Sequence, residues 1–257
     1  MKHCALFGSR LLATLALLSL FAVADAQTPN AQAQAAPRSA PNSAMPQTAP
    51  EAAPISGMKS LGGERYQIGA IVVDKKKSRL SIPGRVLQLG VPLEYLAVSP
   101  GGMKGYESLL EVNASGSEFN LACILLGLDA STATRPELQF GGEPLTGPQV
   151  AFRIVWIEGR IRHELTVPEA LYADAAAAAK VSDAWIYTGS MMNAYSKRYA
   201  ADETGVLVTF VHDATAVVSH RTGLGIGAYG SVSGNKALLP PVGGAVTLEM
   251  HVVGAGR

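Results

Sequence analysis

The feature that most constrains the fold is a series of short β-branched runs separated by glycine, proline and polar turns. Residues 68–73, 150–157, 161–167 and 206–211 are runs of this kind, which are typical of β-strands. The dipeptide Glu158-Gly159 between two of them predicts a hairpin. Strands and helices do not alternate regularly along the chain, so the sequence disfavours a doubly wound parallel sheet.

One segment has helical rather than strand periodicity. Phe119, Ala122, Cys123 and Leu126 follow the helical spacing, and Ser115 precedes them as a potential N-cap. Because the segment is apolar on most faces, we expect a helix over residues 119–128 that is buried at the centre of the core.

A second helical stretch is predicted from Pro168 through the alanine run at 175–179. This run has high helix propensity but little surface for packing, so its helix should be peripheral. The predicted fold class is therefore α+β: a mainly antiparallel β-sheet domain with one buried helix and one peripheral helix.

The N-terminus has the pattern of a secretory signal peptide. Lys2 and Arg10 flank a basic region, residues 11–23 are apolar, and Ala24-Asp25-Ala26 matches a signal-peptidase site. The apolar run is shorter than the roughly 20 residues that a spanning helix needs. We therefore predict a cleaved signal peptide over residues 1–26, no stable membrane span after cleavage, and a periplasmic or secreted protein.

The next segment lacks the residues from which a core is built. Residues 27–62 are rich in Ala, Pro and Gln, and this composition predicts a disordered linker. A single folded domain is expected over residues 63–257.

Charge and cysteine content exclude several classes of protein. The chain carries 21 Lys and Arg against 20 Asp and Glu, too even a balance for the broad positive field that nucleic-acid binding requires. Cleavage would remove Cys4, so Cys123 would have no partner for an intramolecular disulfide. Residues 225–230 match a dinucleotide-binding glycine pattern, but a polar loop rather than a helix follows them. No cofactor is predicted.

Polar and glycine-rich positions recur at the ends of predicted strands, where binding residues usually lie. The candidates fall in three segments: the loop at 101–108, the stretch 185–190, and the pair His212-Asp213. If these segments meet in space, the domain is an exported accessory or binding module for an unidentified extracytoplasmic protein or small ligand. The candidate binding residues are Lys104, Glu107, Ser108, Trp185, Ser190, His212 and Asp213.

A metal-assisted or acid/base hydrolytic enzyme is the alternative. Lys104 with Glu107 could form an acid/base pair, and His212 with Asp213 could contribute to a metal site. Yet no H-E-x-x-H or C-x-x-C spacing places metal ligands on one element. We therefore predict no metal site and assign no catalytic residue, and both functions stay open.

Seven short motifs, in order along the chain, resemble the YdjY-type domain of bacterial exported proteins. They lie at residues 83–86, 93–97, 104–108, 125–128, 185–190, 199–202 and 212–213. The resemblance implies an extracytoplasmic location and a shared fold, but a family of unassigned function supplies no catalytic residues. One position departs from the expected pattern, because Tyr106 stands before Glu107 where a His is expected.

Overall fold

We describe the structure from a computed structural model of the chain, which covers residues 57–137, 139, 141–173, 181–223 and 232–254. All of these residues belong to one compact unit, Pro50–Arg257. The predicted signal peptide, most of the predicted linker, the alanine run at 175–179 and the glycine pattern at 225–230 lie outside the described residues.

The described residues form mainly β-strands with two short α-helices. The helices are α1 (Gly116–Leu125) and α2 (Ala200–Thr204). Short 3-10 turns occur at Gly105–Glu107 and Ala130–Thr132. The strands are β1 (Lys59–Gly62), β2 (Arg65–Ile68), β3 (Ile71–Asp74), β4 (Arg79–Val86), β5 (Tyr95–Val98), β6 (Ser108–Val112), β7 (Gln149–Glu158), β8 (Ile161–Thr166), β9 (Leu171–Ala173), β10 (Trp185–Tyr187), β11 (Val206–Thr209), β12 (Val218–His220), β13 (Val232–Gly234) and β14 (Ala245–Val252).

The strands close into a β-barrel, so the predicted α+β class is wrong. Eight strands pair around a ring in the order β4-β14-β7-β10-β12-β11-β5-β6, and β6 then pairs with β4. The ring pairs are antiparallel except for β11–β12 and β5–β6, which are parallel. Strands β1 to β3 extend outward from β4, β8 pairs with β7, and β9 pairs with β13 in a separate small sheet.

Closure depends on β4, which changes partner along one of its edges. Its first half pairs with β3 through Val73 and Leu80, while its end pairs with β6 through Gly84 and Val112. The other edge pairs with β14 over the whole strand. Pro83 stands at the change of partner, where a residue without an N–H leaves no donor to satisfy. A local sequence pattern does not indicate that one edge of this strand has two partners.

The helix α1 lies on the barrel surface and not at the centre of the core. Phe119, Ala122 and Cys123 are buried, but Ile124 is 53% exposed. The buried face contacts β3, β11 and α2. The predicted peripheral helix is also wrong in its first part, because residues 171–173 form strand β9.

Alternating side chains of the ring strands fill the main core. Trp185 is fully buried in it, with its ring centroid 5.3 Å from that of Phe152 and 5.6 Å from that of Phe210. A second, smaller apolar cluster consists of Tyr95, Val206, Val211 and Ala216. It takes Tyr95 from β5 and Val206 from β11, strands that also supply Leu96 and Leu207 to the main core. The candidate functional site lies beside this smaller cluster.

Candidate functional site

A cleft of about 350 Å³ opens beside the smaller apolar cluster, and we call it the Lys104 cleft. Its lining includes Met103 and Lys104 from the loop before β6, Thr204 from the end of α2, and Asp213 and Thr215 from the turn after β11. Backbone hydrogen bonds tie these segments together, because Met103 donates its N–H to the Thr204 carbonyl at 2.9 Å. The cleft therefore joins parts of the chain that are about a hundred residues apart.

Lys104 is held by the turn in which it stands. Its ammonium donates to Glu107 Oε1 at 2.8 Å and to the Tyr106 hydroxyl at 3.3 Å, while the Ser108 hydroxyl donates to the Lys104 carbonyl at 2.6 Å. Burial disfavours the charged ammonium, but these hydrogen bonds outweigh it and raise the pKa of Lys104. Lys104 is therefore a fixed cation, and Glu107 is its direct counter-ion.

Asp213 is held at the opposite side of the cleft. Its Oδ1 accepts from the Thr215 N–H and hydroxyl, both at 2.8 Å, and its Oδ2 accepts from the Tyr95 hydroxyl at 3.1 Å. Burial and the charge of Asp213 both raise the pKa of Tyr95, so this phenol stays protonated and keeps donating. The Asp213 carboxylate is thus oriented by three donors.

Glu94 is a buried carboxyl that the sequence analysis missed; it does not line the cleft, but its charge interacts with those of Lys104 and Asp213, which do. It precedes β5, and its backbone is fixed by the Phe210 N–H, which donates to the Glu94 carbonyl at 2.8 Å. The residue is only 3% exposed, and no described residue donates a hydrogen bond to its carboxyl. Burial, followed by the charge of Glu107, raises the pKa of Glu94 to about 7, against a lowering effect of Lys104 and a further raising effect of Asp213. The signal in the sequence was a carboxylate between Leu93 and the apolar strand β5.

The structure brings together two of the three predicted segments and the end of the other. Lys104 and Asp213 line the cleft, and Glu107 and Ser108 are hydrogen-bonded to Lys104. The Ser190 hydroxyl donates to the Thr215 carbonyl at 2.7 Å, next to the Asp213 turn. Ser190 is itself buried, so its place is to support that turn.

Trp185 and His212 point away from the cleft. Trp185 is fully buried in the main core. His212 is also buried, and a Cβ on Gly223 would lie 3.0 Å from its Nε2, so its ring faces Gly223. Burial lowers the pKa of His212, which keeps the imidazole neutral. His212 and Asp213 are adjacent in sequence but face different surroundings.

Within the described part of the chain, no three His, Cys, Asp or Glu side chains are arranged to hold a metal ion. The described helices include none that is long and apolar enough to cross a bilayer. A second polar cluster lies on β4, β7, β8 and β14, where each of three arginines has a carboxylate partner. The pairs are Arg79–Glu249, Arg153–Asp183 and Arg162–Glu164.

A model of the YdjY domain matches residues 71–251. The chain belongs to the YdjY family. The match spans the whole barrel and includes every residue of the Lys104 cleft, so this YdjY domain contains the cleft within its own fold. No curated protein and no solved structure matches the chain.

Proposed function

We propose that this YdjY domain is an exported binding module that takes a small polar ligand in the Lys104 cleft. The observation that carries the proposal is that Lys104 and Asp213, charged residues from distant parts of the chain, line one concave surface, while the buried carboxyl of Glu94 interacts electrostatically with both. The cleft volume of about 350 Å³ lies within the range of small-molecule pockets. The signal-peptide pattern at residues 1–26 supports a periplasmic or secreted location.

The arrangement favours binding because the charged groups are held in fixed positions. Asp213 is oriented by Tyr95 and Thr215, and Lys104 is oriented by Glu107. Groups fixed before the ligand arrives lose little conformational entropy on binding, which raises affinity. The exposed side chains of Met103 and Tyr106, 68% and 64% accessible, provide apolar surface for a ligand in the same loop.

An acid/base hydrolase is the second candidate, and the pKa of Glu94 is the observation that favours it. A carboxyl that titrates near pH 7 can act as a general base or acid at neutral pH. Glu107, the base considered from the sequence, is already bound to Lys104 at 2.8 Å. In this version Glu94 would therefore take the acid/base role.

A ligand screen on the purified full chain tests the binding proposal. We expect small polar compounds to raise the melting temperature of the parent protein, and Asp213→Asn to abolish the shift. Glu64→Gln is the matched control, because Glu64 is an exposed carboxylate on the β1–β2 hairpin and changes the net charge equally. Shifts that persist in Asp213→Asn, or a screen without any shift, would contradict binding in this cleft.

The second candidate and the location need separate measurements. Turnover of ester, amide or glycoside probes that is lost in Glu94→Gln would favour the hydrolase over the binding module. Cell fractionation and the intact mass of the mature chain test export, because cleavage after Ala26 predicts Gln27 as the new N-terminus.

A further inference from the structure

We infer that two copies of this chain associate through the outer edge of strand β8, which is complementary in charge to itself. The inference goes beyond the proposed function, and the strand shares no residue with the Lys104 cleft. It is drawn from the outward backbone groups of β8, from the order of its charged side chains and from an exposed isoleucine on it.

Strand β8 lies at an edge of the sheet. It pairs with β7 over its whole length, and no other described strand pairs with it. The two-residue turn after Glu158 makes Glu158 and Ile161 a hydrogen-bonded pair, and such pairs alternate with non-bonded ones along an antiparallel ladder. The N–H and C=O groups of Arg162 and Glu164 therefore point outward, away from β7.

These outward groups have no partner among the described residues. Neither the backbone nor a side chain of the described chain forms a hydrogen bond with the N–H or C=O of Arg162 or Glu164. The next outward N–H, that of Thr166, donates to Glu169 Oε2 at 2.7 Å, so the chain closes its own edge there. The open part of the edge is residues 161–165, and an open edge can pair with another strand.

The order of charges on this edge suits a second copy in antiparallel orientation. In the register centred on His163, Arg162 of each copy lies opposite Glu164 of the other. Both residues face outward, so these pairs exchange backbone hydrogen bonds. Opposite charges directly across two strands stabilise the pairing, whereas like charges destabilise it. The neighbouring registers place Arg162 opposite its own copy or Glu164 opposite its own copy, so charge selects the register centred on His163.

The ion pairs of β8 can extend into the second copy. Arg162 is paired with Glu164 within the strand, and its Nη2 lies 3.6 Å from Glu249 Oε2. The side chains of Arg162 and Glu164 are 47% and 40% exposed, so both can reach across the edge. Charges on an edge discourage pairing with apolar strands. The alternating charges therefore favour a second copy as the partner.

The opposite face of the same edge has an exposed apolar side chain. Ile161 is 64% exposed, and in the register centred on His163 it lies opposite Leu165 of the second copy. Leu165 packs against the main core of its own chain, so contact with it would remove part of Ile161 from water. Few residues take part, so we expect a weak dimer with a dissociation constant on the order of 100 μM.

Sedimentation velocity of the full chain between about 10 μM and about 500 μM tests the inference. The sedimentation coefficient of the parent should rise with concentration toward that of a dimer. Arg162→Glu and Glu164→Arg should each stay monomeric, because like charges then lie opposite each other. An equimolar mixture of the two variants should dimerise, since one has two carboxylates on the edge and the other has two guanidinium groups. The variant with both substitutions should also dimerise, because it again has one charge of each sign.

The controls separate this edge from general charge effects. Lys76→Glu and Glu143→Arg reverse exposed charges outside β8 and should dimerise like the parent, while circular dichroism checks that each variant is folded. A parent that stays monomeric at the highest concentration, single variants that dimerise as well as the parent, or a mixture that stays monomeric would each overturn the inference. The ligand screen tests the cleft separately, so either proposal can fail without the other.

Discussion

At the scale of single residues, position in the fold and not chemical type separates the site from the core. Trp185 and Glu94 are both almost fully buried, yet Trp185 packs against Phe152 and Phe210 while Glu94 has no described hydrogen-bond donor. Burial stabilises the apolar ring and penalises the carboxylate, because an ionised group loses its hydration without a replacement. Glu94 is therefore the residue whose ionisation should affect stability most directly.

Glu94→Gln should stabilise the fold at neutral and mildly alkaline pH. The folded state holds the Glu94 proton more tightly than the unfolded chain does, so the free energy of unfolding falls as pH rises from 4.5 to about 7. After solvent screening the loss should be about 1–2 kcal/mol. Gln has no proton to lose, so this decrease should disappear in urea denaturation curves measured across that range.

The variant and the parent must be compared at each pH, because His220 also makes the stability of the protein depend on pH. Burial lowers the pKa of His220 to about 4. Its contribution to the free energy of unfolding is therefore lost as pH falls from 6.5 toward 4, whereas the contribution of Glu94 is lost as pH rises. The difference between Glu94→Gln and the parent isolates Glu94. An equal pH dependence in both proteins would argue against the raised pKa.

At the scale of elements, α1 supports the cleft although it does not line it. Ser115 and Glu118 form a capping box, in which the Ser115 hydroxyl accepts from the Glu118 N–H at 3.1 Å and Glu118 Oε2 accepts from the Ser115 N–H at 2.9 Å. The same first turn of α1 contacts α2, because Ser117 donates both its N–H and its hydroxyl to Asp202. Since α2 ends at Thr204, the start of α1 fixes one wall of the cleft.

Ser115→Ala should lower the free energy of unfolding by about 1 kcal/mol, the usual effect of losing an N-cap acceptor. Ser115→Thr keeps the acceptor and should recover most of the loss. Thermal unfolding followed by circular dichroism measures both variants. Equal destabilisation by Ala and Thr would show that loss of the cap hydrogen bond is not the cause of the lower stability.

At the scale of the whole molecule, the order of the strands around the barrel positions the cleft residues. Pairing of β4 with β6 completes the ring, and β6 begins at Ser108, directly after Glu107. Pairing of β5 with β11 brings the segment containing Glu94 toward the turn that contains Asp213. Glu107, Glu94 and Asp213 therefore flank three neighbouring strands of the ring, β6, β5 and β11.

Gly84→Ala should disrupt closure. A Cβ at position 84 would lie 2.3 Å from the Glu111 carbonyl oxygen and 2.9 Å from Val112 Cα, both backbone atoms that cannot move independently of β6. We expect destabilisation of about 3 kcal/mol, at the upper end of overpacking effects, with weaker ligand binding in the cleft. Gly142→Ala is the control, because nothing lies within 4 Å of its added Cβ. Chemical denaturation that fails to distinguish the two variants would refute the role of Gly84 in closure.

The site could be predicted only in part from the sequence. The loop containing Lys104, Glu107 and Ser108 was recognisable from its glycines, and Asp213 from its place after a strong strand. Glu94 was missed because a carboxylate next to a strand is usually solvated, and its burial depends on β11 lying alongside. Trp185 and His212 were included because they lie in candidate segments at the ends of predicted strands, but core packing accounts for Trp185, and the ring of His212 faces Gly223.

The sequence by itself determined the β-rich character, the Glu158-Gly159 hairpin and the start of α1 at Ser115. These features depend on backbone preferences and hydrogen bonds between residues close in the chain. Only the tertiary structure decided that the strands form a closed ring, that α1 lies on its surface and that Glu94 is buried beside the end of β11. Every strand edge offers the same N–H and C=O groups, so the choice of partners comes from packing between distant residues, which a local pattern does not encode.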